Sequence, residues 1–303
     1  LSGIGTDCGH NVGSAQKRMM NFTGGLCLHV SMLLVGFGLL AGSQAFAQTK
    51  ADDLIGWWTL DEGTGTTAAD SSASKKNGAF SGNPVWKDGK FGKAVEFDNS
   101  KDFIAISGYS IPANSTTLSV SAWVNLKSVG TAATDDAAIF SFSNASTLLF
   151  WYNADGAGSA KPSYTFLGGS TGNGDRANGP VNLAKANQWQ HVVGVFNGKT
   201  RKLYVDGALK TTQTGGSADK LNHSNKEVRI GAWTTTANMD FNGLIDDVRV
   251  YKSALTDAEV TAIYGNGGGD FNVPTISIAN GNKSKPTVTL EWPGDVTGFT
   301  ADD

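Results

Sequence analysis

The sequence predicts an all-β protein, a two-sheet antiparallel jelly-roll sandwich with one short C-terminal helix. Glycine accounts for 39 of the 303 residues and charged residues for only 17%, a composition typical of many short strands joined by tight turns. Apolar and polar residues alternate in several segments, most clearly in Leu118–Asn125, and this alternation is typical of a sheet that packs on one face. One helical pattern follows the last of these segments.

The predicted strands are short, apolar at alternate positions and bounded by turn residues. They are Leu54–Asp61, Ala94–Phe97, Phe103–Ser107, Leu118–Asn125, Ala138–Phe142, Leu148–Tyr152, Tyr164–Leu167, Trp189–Phe196, Lys202–Val205, Val228–Gly231 and Leu244–Tyr251. Asp206-Gly207 follows the ninth of them and predicts a hairpin, because this dipeptide readily adopts the positive φ of a type I′ turn. This series of strands fits a two-sheet sandwich.

The closing strand, Leu244–Tyr251, carries an unusual carboxylate. Period-2 alternation places Asp246 on one face with the aliphatic side chains of Leu244, Val248 and Val250. A carboxylate on such a face needs a partner, either backbone donors or a cation.

A short helix is predicted directly after this strand. Thr256 and Glu259 have the spacing of a capping box, in which each side chain bonds the backbone of the other residue. Val260, Ile263 and Tyr264 give the helix one apolar side, and Gly265 is the expected end.

Further motifs precede these two elements. They are Gly56–Gly63, Ala69–Ser71 with Asn77-Gly78, Gly89–Asp98, Leu118–Val124, Trp189–Val193 and Leu203–Gly207. In this order they resemble a LamG-like jelly-roll domain of the concanavalin A-like lectin/glucanase superfamily, and the resemblance covers residues 51–268. It implies a binding module whose loops commonly hold calcium.

Calcium is the inorganic ligand that the chain is expected to bind, in a structural role. Calcium takes carboxylate and carbonyl oxygens from loops rich in Asp, Asn and Gly. The positions that match the family's calcium loop are Asp70, Asn77 and Asp246. The alternative is that Asp246 only accepts hydrogen bonds from backbone donors.

Residues 1–47 are predicted to be an upstream segment and signal peptide. Leu26–Leu40 is an apolar run too short for a comfortable membrane span, and Ala45-Phe46-Ala47 before Gln48 matches an A-x-A cleavage site. Cleavage there would remove both cysteines and leave a mature chain without a membrane span. The expected location is therefore extracellular, secreted or at the cell surface.

A second domain is predicted to begin after the jelly roll. Gly265–Gly269 has the composition of a linker. Residues 272–303 resemble the opening of a bacterial Ig-like repeat. An Ig sandwich needs about 100 residues, so this segment is interpreted as a truncated start.

Charge and motifs exclude several classes of function. The formal net charge is −3 and no basic stripe is present, which argues against a nucleic-acid partner. Glycosidases of the superfamily use an E-x-D-x-x-E strand. In the nearest match, Glu96-Phe97-Asp98, the third acidic position holds Lys101. We therefore expect no enzymatic activity.

The candidate ligand-binding residues are polar or aromatic residues without a framework role. Trp58, Trp86, Trp123 and Trp189 match framework positions and are expected in the core or between the sheets, and His191 is expected to be a core histidine with a satisfied ring. The remaining candidates are Trp151, Tyr152, Asp155, Arg176 and Trp233.

The predicted function is a secreted, non-catalytic binding module within a larger multidomain extracellular protein. Recognition of a glycan or polysaccharide is the favoured role, with cell-surface proteins as further partners. One alternative is a structural or protein-binding adhesion module. Another is an accessory domain of a polysaccharide-degrading enzyme.

Overall fold

The computed structural model describes residues 52–129, 136–142, 147–153, 162–169, 175–233, 239–265, 275–279 and 287–291. The chain divides into two compact units. One is Lys50–Asp270, and the other combines Leu1–Thr49 with Phe271–Asp303. The predicted signal segment, residues 1–47, lies outside the described residues.

The Lys50–Asp270 unit is built almost entirely of strands. They are β1 (Leu54–Trp58), β2 (Thr67–Ala68), β3 (Gly78–Ser81), β4 (Val85–Asp88), β5 (Lys93–Asp98), β6 (Phe103–Ser115), β7 (Thr117–Leu126), β8 (Ala137–Phe142), β9 (Thr147–Asn153), β10 (Pro162–Gly168), β11 (Arg176–Asn178), β12 (Trp189–Asn197), β13 (Thr200–Val205), β14 (Ala208–Thr214), β15 (Leu221–Ile230) and β16 (Asn242–Tyr251), followed by helix α1 (Asp257–Gly265).

The strands form two open antiparallel sheets. The first sheet has the order β14-β13-β12-β7-β16-β5-β4, with β1 also paired to β16. The second has the order β11-β10-β9-β8-β15-β6-β3-β2. The all-β prediction with one terminal helix is confirmed. Strands β2, β3, β4, β11 and β14 were not predicted. The first four have two to four residues, too few to show a periodicity, and β14 is polar after Leu209.

The core lies between the two sheets and takes apolar side chains from both. Its largest fully buried aromatic members are Trp58, Phe97, Phe140, Phe142, Tyr164, Phe166, Phe196 and Phe241. Close approach of the sheets requires glycine at one point. A Cβ on Gly194 of β12 would lie 2.1 Å from Cδ2 of Phe166, so any other residue there would push the sheets apart.

The predicted Asp-Gly hairpin is confirmed between β13 and β14. Val205 pairs with Ala208 across the turn. Asp206 and Gly207 both have positive φ, 53° and 73°, as a type I′ turn requires.

The capping box at the start of α1 is also confirmed. The Thr256 N–H donates to Oε2 of Glu259 at 2.5 Å, and the Glu259 N–H donates to Oγ1 of Thr256 at 3.3 Å. Val260 and Ile263 are buried beneath the helix, while Tyr264 is 38% exposed.

Strand β16 contains a one-residue bulge. Asp246 pairs with Trp123 of β7 and Arg249 pairs with Ser121, so β16 advances three residues while β7 advances two. Asp247 sits inside the irregularity with a φ of 47°. The extra residue reverses the alternation of faces from that point onward.

This bulge makes the predicted face of β16 wrong. Ile245, Val248 and Val250 belong to the core between the sheets. Asp246 does not share their face, and it lies on the outer face of the first sheet. A strict period of two misassigns every position on one side of a bulge.

The second carboxylate of the bulge stabilises the attachment of β1. The indole Nε1 of Trp57 donates to Oδ1 of Asp247 at 2.7 Å, and Nε of Arg249 donates to the same oxygen at 2.9 Å. The Arg249 guanidinium also lies 4.7 Å from the centre of the Trp57 ring. All three residues are buried.

In the second unit the structure describes one hairpin. Strand β17 (Thr275–Ala279) pairs antiparallel with β18 (Thr287–Glu291). An Ig-like repeat over residues 272–303 stays a prediction.

A buried ion pair closes the edge where β13 meets the end of β10. Nη2 of Arg201 lies 2.6 Å from Oδ1 of Asp175, and both side chains are almost completely buried. Arg201 also donates to the Gly168 carbonyl from Nε and Nη2, at 2.9 and 2.7 Å. The guanidinium thereby joins two loops and the end of β10.

Removing this guanidinium is expected to destabilise the domain strongly. Arg201→Met leaves the Asp175 carboxylate buried without its cation, and breaking a buried pair in this way costs about 3–5 kcal/mol. Denaturant unfolding followed by circular dichroism measures the change. Asp88→Asn is the control, because its partner Lys93 and Asp88 itself are solvent-exposed and such pairs contribute little. Equal midpoints for Arg201→Met and wild type would contradict the assignment.

Candidate ligand-binding site

Aromatic side chains cover the outer face of the first sheet. The ring of Trp123 contacts Phe91 edge-on at 5.5 Å, stacks on Tyr264 of α1 at 5.5 Å, and lies 5.2 Å from the ring of His191. Trp123 is only 4% exposed. The expectation that it lies in the core or between the sheets is wrong, and the helix and the β4–β5 hairpin bury it instead.

His191 lies in this outer cluster as a neutral ring. It is fully buried, and burial lowers its pKa to about 3, helped by the positive charge of Arg249. Neither ring nitrogen has a hydrogen-bond partner, so the expected satisfied ring is wrong. His191 is therefore a packing residue and offers no acid–base chemistry at neutral pH.

Asp246 anchors the β4–β5 hairpin to the same face. Its Oδ2 accepts hydrogen bonds from the backbone N–H groups of Lys90 and Phe91, at 2.9 and 3.0 Å, while Oδ1 is buried without a partner. Burial raises the pKa of Asp246 to about 7, and repulsion from Asp247 and Asp61 adds to the shift. The carboxyl group is thus poised to titrate near neutral pH.

The other two predicted calcium ligands form a brace within one loop. Asp70 accepts hydrogen bonds from the backbone N–H groups of Trp57, Ser72 and Lys76, at 2.8–2.9 Å. The side-chain oxygen Oδ1 of Asn77 accepts a hydrogen bond from the backbone N–H of Asp70 at 2.9 Å. Both side chains therefore accept hydrogen bonds from backbone donors, and calcium coordination by them stays a prediction. Across the described residues, no group of three or more His, Cys, Asp or Glu side chains is placed to hold a metal ion.

The carboxylates of the glycosidase-like motif have structural partners. Glu96 lies 3.5 Å from Nζ of Lys87 on the neighbouring strand. Asp98 accepts a hydrogen bond from the Ser100 hydroxyl. These contacts give both carboxylates a structural role on and after β5.

Four of the predicted ligand-binding residues lie in, or directly after, strands of the second sheet. Strand β9, with Trp151 and Tyr152, lies between β8 and β10, and β11, with Arg176, pairs with β10. Trp233 follows the end of β15, the strand next to β8. Asp155 lies outside the described residues.

One cross-strand row runs through this face with an arginine at each end. Arg229 of β15 is opposite Ser141 of β8, which is opposite Leu148 of β9. Leu148 is opposite Leu167 of β10, which is opposite Arg176 of β11. We call these five positions the arginine row. With neighbouring strands about 4.8 Å apart, the row spans about 19 Å.

An apolar patch lies beside the arginine row. Ala138 and Leu167 form a small cluster that is separate from the main core, and Trp233 and Met239 pack against it. Trp233 and Met239 are only partly buried. The patch therefore presents an accessible indole and thioether next to buried aliphatic groups.

Three N–H groups on this face have no hydrogen-bond partner. They are Nε of Arg176, Nε1 of Trp233 and Nη1 of Arg229. A buried donor without a partner costs about 1–3 kcal/mol. Because Arg176 and Trp233 are themselves partly exposed, a ligand can contact both side chains from solvent.

The cross-strand register separates the two candidates on β9. Trp151 is opposite Tyr164, a member of the main core, whereas Tyr152 is opposite Ser163. Since directly opposite residues share a face of the sheet, position 151 belongs to the core face and position 152 to the outer face. Ligand binding by Trp151 and Tyr152 stays a prediction.

Sequence reasoning missed Arg229, Leu167 and Met239. In the sequence, Arg229 stands between the apolar residues Val228 and Ile230. This alternation could have placed the arginine on the outer face of its strand. The role of Leu167 in the apolar patch could not be predicted without the strand order, because its neighbours Arg176 and Trp233 come from distant parts of the chain.

Known proteins match this chain in family and in fold. A family model described as the concanavalin A-like lectin/glucanases superfamily matches residues 98–261, more than half of the chain. Domain 4 of AbnA, a GH43 extracellular arabinanase from Geobacillus stearothermophilus solved with arabinotriose, is similar with a TM-score of 0.53. The identity is 21%, over 70% of this chain and 98% of that domain.

Two further solved structures share the fold at lower identity. The binding domain of Paraclostridial Mosquitocidal Protein 1 has a TM-score of 0.55 and 13% identity, over 71% of this chain and 52% of that one. A structure of botulinum neurotoxin type C, whose cell entry is described as dependent on two ganglioside molecules, has a TM-score of 0.52 and 14% identity. It covers 75% of this chain and 54% of that one. No curated protein sequence matches this chain.

The raised pKa of Asp246 makes stability fall as the pH rises from about 4 to about 7. The ordinary pKa of the carboxyl group is 3.8 and the folded value is about 7, so between these values the folded state binds the extra proton. Relative to Asp246→Asn, wild type is expected to lose about 3 kcal/mol of unfolding free energy between pH 5 and pH 8. Denaturant melts in chelator at both pH values measure this difference.

Asp98→Asn provides the matched control, because Asp98 is an exposed carboxylate at the end of β5. Its profile should follow that of wild type over the same pH range. Parallel profiles for wild type and Asp246→Asn would show that Asp246 is already ionised at pH 5.

Proposed function

Because the chain belongs to the concanavalin A-like lectin/glucanase superfamily, we propose that residues 51–268 form a secreted, non-catalytic module that binds carbohydrate. The ligand lies on the outer face of the second sheet. The observation that carries the proposal is the partly exposed Trp233, which packs on an apolar patch beside unpartnered N–H donors.

The chemistry of this face suits a sugar. An indole ring offers an apolar face together with a polar N–H, and a sugar ring offers C–H groups on its faces and hydroxyls at its rim. The Trp233 ring and the Met239 thioether cover the C–H groups, while Arg176 donates to the hydroxyls. A few placed polar groups within an apolar surface are typical of small-ligand sites.

The comparisons support a binding role at a coarser level. The similar structures are binding domains, and one of them was solved with an arabinose oligosaccharide. Within the described residues, no helix is long and apolar enough to span a membrane. Secretion is supported by the predicted signal peptide.

An accessory role in a polysaccharide-degrading enzyme is the second candidate. It is favoured by the likeness to the fourth domain of an extracellular arabinanase. The binding chemistry of the outer face would be the same in that setting. An adhesion module that binds cell-surface proteins would instead leave the Trp233 face without affinity for glycans.

Calcium binding is proposed at the three predicted positions, Asp70, Asn77 and Asp246, since calcium takes several oxygen ligands. Oδ1 of Asp246 supports the proposal, because it is buried and has no hydrogen-bond partner. If calcium binds, it stabilises the folded chain by mass action, by about 2.7 kcal/mol at a hundredfold excess over its dissociation constant. Calcium should then raise the melting temperature of wild type at pH 8 but not that of Asp246→Asn. Identical melting with calcium and with chelator would refute the site.

The glycan-binding proposal predicts retention without turnover. The full chain should be retained on at least one of a panel of immobilised polysaccharides and release no reducing ends. Trp233→Ala should lower retention about tenfold, because stacking and the adjacent apolar contacts are lost. The measurement is the fraction of protein depleted from solution over a titration of beads.

Trp86→Ala is the matched control, since Trp86 is a partly buried tryptophan on the edge strand β4 of the first sheet. It should leave retention unchanged once circular dichroism has shown that both variants are folded. Release of reducing sugar would overturn the non-catalytic assignment. Absence of retention on every polysaccharide would favour the adhesion alternative.

A further inference from the structure

The arginine row points to a particular class of glycan. We infer that the site selects anionic polysaccharides, chains that carry carboxylate or sulfate groups, over neutral ones. This inference rests on the proposed function and adds the charge of the ligand.

Arg176 carries the inference, because among the described residues its side chain has no counter-ion. No hydrogen bond or ion pair joins its side chain to any residue that the structure describes, and its Nε is buried and unpartnered. Arg201 and Arg249, by contrast, are each paired with a buried aspartate. A guanidinium presents a planar fork of donors that matches carboxylate and similar oxyanions.

Arg229 at the other end of the row retains one free donor. Its Nε is paired with Glu227, and its guanidinium lies 4.6 Å from the centre of the Phe103 ring. These contacts fix the side chain and neutralise part of its charge, but Nη1 stays without a partner. Arg229 is itself buried, so the partly exposed Arg176 supplies the accessible positive charge.

Among the described residues of the arginine row and the apolar patch, the buried side-chain nitrogens without a partner are all donors. The guanidinium and indole nitrogens of Arg176, Arg229 and Trp233 can donate hydrogen bonds and cannot accept them. A hydroxyl both donates and accepts, whereas a carboxylate or a sulfate ester only accepts. An anionic group therefore matches this set better than a neutral sugar does, and charged acceptors form the stronger bonds.

The attraction is local rather than a property of the whole chain. The formal net charge of the chain is −3, so long-range forces do not draw polyanions to it. The attraction must come from the partly exposed Arg176, and its contribution to binding should decline as salt screens the charge.

The test compares charged and neutral polysaccharides on one support. Polygalacturonate, its carboxyl-reduced neutral form, dextran sulfate and dextran are immobilised, and depletion of the full chain is measured in 50 and 500 mM NaCl. We expect retention on one or both charged polymers about tenfold above that on the neutral counterpart, and a marked loss at high salt. Retention on polygalacturonate alone identifies carboxylate as the recognised group, and retention on dextran sulfate alone identifies sulfate.

Variants separate the site from general charge attraction. Arg176→Gln should reduce retention on the charged polymer about tenfold and leave retention on any neutral polymer unchanged, while Arg176→Lys should recover part of it. Lys199→Gln removes an exposed cation in the turn between β12 and β13 of the first sheet and should have no effect.

Each contrary outcome has a distinct meaning. Equal, salt-independent retention on charged and neutral polymers overturns the anionic preference and leaves the glycan-binding proposal standing. An equal loss in Arg176→Gln and Lys199→Gln overturns the assignment to the arginine row. No retention on these four polymers or on the wider panel overturns both the proposed function and this inference.

Discussion

The extra residue in β16 is the constraint on which the first sheet depends. This strand pairs with β1, β5 and β7, so its side chains face both the core and the outer surface at the centre of the sheet. The bulge lets Ile245 and Val248 both reach the core. It also places Asp246 and Asp247 where one holds the β4–β5 hairpin and the other holds Trp57 of β1.

This arrangement determines which face of the sandwich can bind a ligand. With the hairpin held by Asp246, the ring of Phe91 packs on Trp123, and Tyr264 of α1 closes the other side. The outer face of the first sheet thus becomes a second, smaller core. The second sheet carries no helix on its outer face among the described residues, and its partly exposed Trp233 and Arg176 lie there. Binding at that face leaves the hairpin and helix undisturbed.

The arginines of the domain divide by their partners. Arg201 and Arg249 are buried against aspartates, and their charge is used to join strands and loops. Arg229 forms an ion pair with Glu227 through Nε, which neutralises part of its charge. Arg176 is partly exposed and has no such partner among the described residues. Its charge is therefore accessible to a ligand and is not used to join strands.

The amino-acid sequence by itself determined the fold class, the central strands, the Asp206-Gly207 hairpin and the capping box of α1. These features depend on local periodicity and on backbone preferences that neighbouring residues express directly. Trp233 and Arg176 could also be nominated from sequence, since both lie outside the framework motifs.

Only the tertiary structure decided which residues act together. The bulge at Asp247 left no periodic signal, yet it moved Asp246 from the predicted core face to the outer one. Likewise Arg176, Leu167 and Arg229 are distant in the chain, and they form one row only because β11, β10, β9, β8 and β15 are consecutive in the sheet. Strand order and register are set by the packing of the whole core, which no short segment encodes.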